Sequence, residues 1–193
     1  MLYKLLKKSQ QLVQKWSGGT TTQLAIFPPE ATYQKRDFCF RISTATVETE
    51  ESAFTELPGV NRVLMILEGN LAIQHTNHHT RQLNKFDTDT FSGSWETNAR
   101  GKVTDFNLMT TGTAHGSLTA IVLQKNDCKQ IYLNKKHTGV YVYTGSLELN
   151  TPAGKLLVEQ RDFILLEAEN PDEAICLSAG QYSEIIISGV SLK

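Results

Sequence analysis

The sequence predicts an all-β chain built as two barrel-like halves, and three observations carry that expectation. Strand signals dominate, no segment sustains the 3.6-residue apolar period of an amphipathic helix, and one strand–glycine–strand unit occurs twice. The stretch from Arg62 to Ile73 resembles the stretch from Thr138 to Leu149: an apolar strand meets a glycine and an alternating strand follows. The two glycines, Gly69 and Gly145, stand 76 residues apart. Glycine reaches the positive φ of a tight turn without steric cost, so each unit reads as a hairpin. Two such units at this spacing suggest two fused small β-barrels, with halves near 1–115 and 116–193.

The elements follow in order. The basic segment Lys4 to Lys8, with Lys15 beyond it, is interleaved with apolar residues and reads as a solvated edge strand rather than a targeting signal. Trp16-Ser17-Gly18-Gly19-Thr20-Thr21-Thr22 has two readings. It is either a loop whose backbone N–H groups hold an anion or a bulge leading into a strand, with Trp16 in the core. It lacks the Gly-Lys-Ser/Thr ending of a nucleotide loop, and no helix is expected after it. Phe38 to Ala45 alternates strictly, Phe38, Phe40 and Ile42 on one face, Cys39, Arg41, Ser43 and Ala45 on the other. Pro58-Gly59 marks a turn. Strands follow at Arg62–Leu67 and Leu71–His75, then a polar tip at Thr76-Asn77-His78-His79. Later strands are expected at Phe106–Met109, Leu118–Leu123, Gly139–Tyr143, Ser146–Leu149, Lys155–Glu159, Phe163–Glu167 and Glu184–Ser188. A short helical turn is expected around Pro171 to Ala174.

Of the 193 residues, 40% are hydrophobic and 20% charged, ordinary values for a chain with a real core. The formal net charge of -1 gives no general attraction to nucleic acid or anionic lipid. No apolar run approaches the ~18 residues of a membrane helix, and no secretory signal pattern precedes the first strand. Cys39, Cys128 and Cys176 are far apart and odd in number, fitting neither a disulfide framework nor a CxxC zinc site. They read as buried, reduced thiols, which implies a cytoplasmic location. A homodimer stays open.

Three stretches in order resemble one family. They are Trp16 to Leu24; Phe38 to Ala45 with Phe54-Thr55-Glu56-Leu57-Pro58-Gly59-Val60-Asn61-Arg62 and Leu67-Glu68-Gly69; and Phe91-Ser92-Gly93 with Asp105-Phe106-Asn107-Leu108-Met109. Together they resemble the HutD/Ves family, over roughly residues 1–125. The resemblance implies a double-stranded β-helix of the cupin/RmlC-like kind, as a bicupin. It also implies an association with histidine utilisation and a small ligand, such as urocanate or N-formylglutamate. Many relatives carry Asn and a third Gly in the first motif, where this chain has Ser17 and only Gly18-Gly19, so its ligand is expected to differ if that loop touches it.

Metal-binding cupins resemble one another in a His-x-His, Glu, Gly pattern. With the last Gly placed on Gly69, Arg62 falls at the Glu position and no His falls between Thr55 and Pro58. The second motif, anchored on Gly93, leaves its His near Thr104 or Asp105. A guanidinium repels a divalent cation and suits a carboxylate, which it grips with two parallel hydrogen bonds. No metal and no cofactor are therefore expected. His75, His78 and His79 read as a solvated loop tip; His75 and His79 could meet only if the loop folded for it. His115 and His137 read as surface or capping residues.

The candidate ligand-binding residues are Arg41, Ser43, Arg62, Asp105, Asn107, Trp16, Ser17, Gly18 and Gly19. Arg41 stands on a small-residue face that leaves room for a ligand, or else is a surface charge. Arg62 clamps the ligand or forms a structural ion pair with Glu56 or Asp105. Asp105 and Asn107 point one way and either orient the ligand or hold an arginine, since a buried unpaired carboxylate is costly. Trp95 reads as a lid or a core aromatic, and Glu68 faces solvent. No Ser-His-Asp or Cys-His pair is evident, so no catalytic residue is assigned. The expected function is capture of a small carboxylate metabolite, as a sensor or modulator of histidine or amino-acid catabolism. Two alternatives are a metal-free isomerase or lyase with Asp105 as base, and an interaction module acting through the His75–His79 loop.

Overall fold

The computed structural model describes residues 1–151, 154–170 and 173–192. Among them the regular structure is strand throughout, apart from one 3-10 turn at Lys8–Gln10. No helix is long and apolar enough to cross a membrane.

Backbone contacts divide the chain into two units, Leu12–Leu118 and Met1–Gln11 with Thr119–Leu192. The first begins with β2 (Val13–Trp16) and β3 (Gly19–Phe27), β1 being Leu2–Leu6. It continues through β4 (Phe40–Val47), β5 (Glu51–Ala53), β6 (Val60–Glu68), β7 (Leu71–His75), β8 (Thr80–Leu83), β9 (Thr88–Ser92), β10 (Thr97–Arg100) and β11 (Val103–Thr111). The remaining strands are β12 (His115–Leu123), β13 (Cys128–Tyr132), β14 (His137–Thr144), β15 (Ser146–Thr151), β16 (Gly154–Glu159), β17 (Phe163–Glu167), β18 (Ala174–Ala179) and β19 (Ser183–Ser191).

The strand orders repeat one for one. The first unit has sheets β2-β3-β4-β11-β6-β9 and β5-β10-β7-β8; the second has β1-β17-β14-β19-β12 and β13-β18-β15-β16. Adding eight to β4-β11-β6-β9 gives β12-β19-β14-β17, and adding eight to β5-β10-β7-β8 gives β13-β18-β15-β16. Each unit is therefore the same two-sheet sandwich, the bicupin architecture. The extra strands sit on opposite edges of the repeated sheet order: β2 and β3 extend the β4 edge in one unit, and β1 extends the β17 edge in the other. The basic N-terminal segment is thus an edge strand, as its composition suggests.

Two expectations are corrected here. The units divide at 118/119, beside the approximate boundary expected near 115/116, but the first eleven residues fall in the second unit. β1 pairs antiparallel with β17, and Lys7 Nζ lies 2.8 Å from the Asp162 carboxylate, so Met1–Gln11 belongs with the C-terminal unit. Gly69 and Gly145 do not close hairpins. β6 and β7 lie in different sheets, as do β14 and β15, so each glycine carries the chain from one layer to the other. The equivalence of the two turns is nevertheless close. Gly69 has φ +83° and Gly145 φ +81°. A Cβ on Gly69 would meet the Lys102 carbonyl at 2.4 Å, and one on Gly145 the Tyr182 carbonyl at 2.3 Å. Lys102 immediately precedes β11 and Tyr182 immediately precedes β19, its repeat partner.

Alternation along the strands separates core from site. On β4 and β11, Phe40, Ile42, Phe106 and Leu108 are fully buried, while the residues between them face the other way. Inside the first unit Leu64, Ile66, Leu71, Ile73 and Leu83 form one apolar cluster; inside the second, Val140, Val142, Leu147, Leu149 and Ile185 form another. Each such side chain contributes about 1.5–3 kcal/mol on burial.

The cysteines are a third correction. Cys128 is exposed, and it is disulfide-bonded to Cys176 across β13 and β18, with Cα atoms 6.6 Å apart. The register pairs Cys128 with Ser178 and Gln130 with Cys176, so the bond is diagonal across the ladder. A separation of 48 residues gives no local signal for it. Cys39 is the free thiol and is half-buried. The argument from reduced thiols to a cytoplasmic location therefore loses its premise. His115 is exposed as expected, whereas His137 is buried at the start of β14. Of the helical turn expected at 171–174, the first two residues lie outside the described residues, and Ala174 already begins β18.

Candidate functional site

The inner face of the six-stranded sheet builds a polar floor in rows. The register places Met109 of β11 between Arg41 of β4 and Arg62 of β6. One row along, Asn107 lies between Ser43 and Leu64; the next has Asp105 between Ala45 and Ile66. A residue in a strand shares its face with its cross-strand partner and with residues two away. Arg41, Ser43, Ala45, Arg62, Asp105, Asn107 and Met109 therefore look into one cavity of about 780 Å³, a size that holds a small metabolite. The cavity lies wholly within the Leu12–Leu118 unit.

Both arginines are buried, Arg41 at 5% and Arg62 at 6% exposure. Arg41 donates from Nε to Gln23 Oε1 at 2.8 Å and from Nη1 to Ser43 Oγ at 3.1 Å, with Tyr33 beneath its guanidinium at 4.5 Å. Arg62 donates from Nη2 to Asn107 Oδ1 at 3.0 Å and rests on the rings of Phe54 (4.6 Å) and Phe91 (5.1 Å). Its Nε is buried with no hydrogen-bond partner. Among the described residues neither arginine has a carboxylate within ion-pair distance, so the alternative of a structural ion pair from Arg62 to Glu56 or Asp105 is not made. Asn107 stands between them instead: its amide donates to Asp105 Oδ1.

Burial dominates the electrostatics. It raises the Asp105 carboxyl from 3.8 to about 7, against the opposing pull of the Arg62 charge. Burial also lowers Arg62 to about 10, partly offset by Asp105, and lowers Arg41, with Tyr33 opposing. At neutral pH both guanidiniums remain charged while Asp105 is partly protonated. The floor carries a net positive charge.

Of the nine residues expected from the sequence, eight line this cavity: Arg41, Ser43, Arg62, Asp105, Asn107, Trp16, Ser17 and Gly18. Gly19 does not. A Cβ there would meet the Thr46 carbonyl at 1.9 Å, so Gly19 serves the close approach of β3 to β4. Ser17 and Gly18 form the two-residue turn between β2 and β3, with Trp16 paired to Gly19. The Trp16 ring lies over Gly18, where a Cβ would meet it at 2.1 Å. Trp16 is 43% exposed at the cavity mouth, not in the core.

A second polar cluster lies in the same unit, and it corrects the solvated-loop reading of the histidine tip. His75 is buried at 2% exposure, its side chain turned between the sheets. His75 Nε2 lies 3.0 Å from Asp89 Oδ2, and His79 Nε2 lies 3.1 Å from both oxygens of the same carboxylate. The ligand atoms of these three residues fall within 4.8 Å of one another. His78 stacks on Trp95 at 3.7 Å, and Trp95 packs against the apolar cluster of the unit, which makes it a covering aromatic.

A profile of the HutD family matches residues 8–186. The chain belongs to the HutD family. Solved structures agree in fold. The conserved protein of unknown function PA5104 from Pseudomonas aeruginosa PAO1 superposes with a TM-score of 0.86 at 16% identity, over 100% of each chain. HutD from Pseudomonas fluorescens SBW25 gives 0.75 at 16% identity, again over 100% of each. The bacterial pirin YhhW in complex with nickel(II) from Escherichia coli gives 0.71 at 11% identity, over 97% of this chain and 98% of that one. No curated protein sequence matches the chain. At these identities the likeness is one of fold.

Within this HutD-family barrel, sequence reasoning missed the residues that hold the arginines. Gln23 and Phe54 lie inside the motifs that carry the family resemblance, so a signal was present. Tyr33 sits between β3 and β4 with no local pattern to mark it. Asp89 alternates on β9 like any edge residue, and only the packing of β9 beside β7 discloses its role.

Proposed function

We propose that this HutD-family protein binds a small carboxylate metabolite in the Leu12–Leu118 barrel, without a metal in that cavity, and acts as a sensor or modulator of histidine or amino-acid catabolism. One observation carries the reading: Arg62 holds a buried positive charge on the cavity floor with an unpartnered Nε and no acid paired to it. An uncompensated buried charge costs several kcal/mol. A carboxylate between Arg62 and Arg41 would offset that cost with charge-assisted hydrogen bonds. Asp105 does not compete strongly, because at pH 7 it is only partly ionised. Its amide neighbour Asn107 offers a polar contact that fixes orientation. A sensor of catabolism works in the cytoplasm, and that placement rests on this reading rather than on the cysteines. Neither nucleic acid nor membrane enters as a partner.

The test is a thermal-shift screen with small carboxylates, urocanate and N-formylglutamate included, followed by calorimetric titration. A ligand that binds only the native state raises the melting temperature by mass action. Because Trp16 stands at the cavity mouth, the same ligand should change its fluorescence, and Trp16→Phe should remove that change. If no carboxylate stabilises the protein, the reading is wrong.

A second reading is favoured by one observation, the Asp105 carboxyl raised to about 7. A group poised there suits proton transfer at neutral pH, as in a metal-free isomerase or lyase. Ligand consumed by wild type and merely bound by Asp105→Asn would establish it. For the interaction-module reading, His75 is turned into the barrel and only the rest of the loop, Asn77 and His78 foremost, is displayed.

A further inference from the structure

We propose that His75, His79 and Asp89 bind one divalent transition-metal ion of the zinc type at the β7–β9 end of the Leu12–Leu118 barrel, through both imidazole Nε2 atoms and one Asp89 oxygen. The site does not rest on the carboxylate reading of the cavity. The Phe91 ring lies between the two places, 4.4 Å from the His75 ring and 5.1 Å from the Arg62 guanidinium. Nor does it occupy the position where cupin metal ligands would fall in this sequence, which Arg62 takes.

The spacing from Asp89 to each histidine suits a metal, and all three ligand atoms lie within 4.8 Å of one another. Bonds of 2.0–2.2 Å at angles between square and tetrahedral place neighbouring ligand atoms about 2.9–3.5 Å apart. Asp89 Oδ2 lies 3.0 Å from His75 Nε2 and 3.1 Å from His79 Nε2. The two carboxylate oxygens differ in their partners, although His79 Nε2 lies 3.1 Å from each. Oδ1 accepts the Thr90 N–H at 2.9 Å and faces Arg81 Nη1 at 3.6 Å, while Oδ2 turns to the two histidines. Arg81 is half-exposed, donates its Nη1 to the Thr88 carbonyl and pairs with Asp89 through Oδ1 rather than Oδ2. Two imidazoles and one carboxylate make a donor set for borderline ions such as zinc, cobalt or nickel.

The hydrogen bonds behind His75 favour the ligating tautomer. His75 Nδ1 lies 2.7 Å from Thr97 Oγ1, and that hydroxyl donates to the Trp95 carbonyl at 3.1 Å. With the hydroxyl proton on Trp95 O, Thr97 accepts from His75 Nδ1–H, and Nε2 is left with a lone pair aimed at a carboxylate oxygen. Two acceptors then face each other at 3.0 Å, and a cation between them resolves the conflict. Without a metal ion, either the Thr97 proton turns to Nδ1 and the Trp95 carbonyl loses that donor, or the ring carries a second proton and donates from Nε2 to Asp89. The metal-bound arrangement satisfies every member of the chain, in the manner of an outer-shell partner orienting a metal-ligating imidazole. On the outer side His79, Arg81, Thr88, Asp89 and Thr90 line a shallow depression, which leaves room for water or an exchangeable ligand to complete the coordination.

The test uses tag-free, chelator-treated full-length protein, titrated with zinc chloride by calorimetry and with cobalt(II) by visible absorption. One equivalent per chain is expected, tighter than about 100 µM. His79→Ala and Asp89→Asn, each shown folded by circular dichroism, should weaken zinc binding at least tenfold and abolish the cobalt bands. His115→Ala, which removes an exposed histidine elsewhere, should leave both unchanged. The proposal is overturned if wild type shows no zinc binding in this range. It is equally overturned if binding survives in both site variants, the mark of a hydrogen-bonded triad with adventitious surface binding.

Discussion

The Arg62 guanidinium donates to the Asn107 amide oxygen at 3.0 Å, and that residue's amide nitrogen donates on to Asp105. A neutral amide thus stands where an ion pair would quench the charge, which leaves Arg62 free for an anion. Arg62→Ala should weaken carboxylate binding by at least about tenfold, since a charge-assisted hydrogen bond contributes on the order of 1.5–3 kcal/mol. Arg62→Lys should recover only part of the loss, because an ammonium lacks the two-pronged geometry. Arg62→Met, similar in length, should melt no lower than wild type, because it removes an unpaired buried charge. Calorimetry and thermal denaturation on the three variants check this; equal affinities would make Arg62 scaffold.

Asp105 should make stability fall with pH. Its folded pKa, about 7, lies above its ordinary 3.8. Between those values the native state holds a proton that the unfolded chain has released. The stabilisation is therefore complete below about pH 4 and is lost as pH rises through about 7. Asp105→Asn lacks this linkage. Its melting temperature relative to wild type should rise from pH 4 to pH 8, and a constant difference across that range would contradict the burial argument.

Gly69 and Gly145 should be far less replaceable than Gly59. All three have positive φ, but nothing lies within 4 Å of a Cβ on Gly59. Gly59→Ala should cost only the left-handed backbone penalty, roughly 1–2 kcal/mol. Gly69→Ala and Gly145→Ala add a collision with a strand-leading carbonyl and should each cost more. Denaturant titration of the three variants gives the ranking, and similar losses would refute the shared role of the two turns.

Alkylation of the native protein should label one thiol, Cys39, and label all three cysteines after reduction and unfolding. Closing a loop over 48 residues stabilises by up to about 4 kcal/mol in the chain-entropy view. Reductant should therefore lower the melting temperature by several degrees. Three labels without reductant would return the cysteines to the free-thiol reading.

The sequence alone determined the fold class and the polar floor of the cavity. Strict alternation from Phe38 to Ala45 set Arg41 and Ser43 opposite Phe40 and Ile42, and the same period aligned Asp105 with Asn107. A two-residue repeat survives any tertiary context, because it follows from the pleat itself. The echo around Gly69 and Gly145 announced the duplication for a similar reason: only glycine tolerates both the positive φ and the neighbouring carbonyl. Tertiary structure decided everything that depends on which strands become neighbours. It assigned β1 to the far unit, sent the chain across layers at Gly69 and joined Cys128 to Cys176. It placed an amide rather than an acid beside Arg62. It also turned His75 inward onto Asp89, 14 residues away on another sheet. Strand partners are chosen by packing and by long-range hydrogen bonding, and neither is written in the spacing of a single strand.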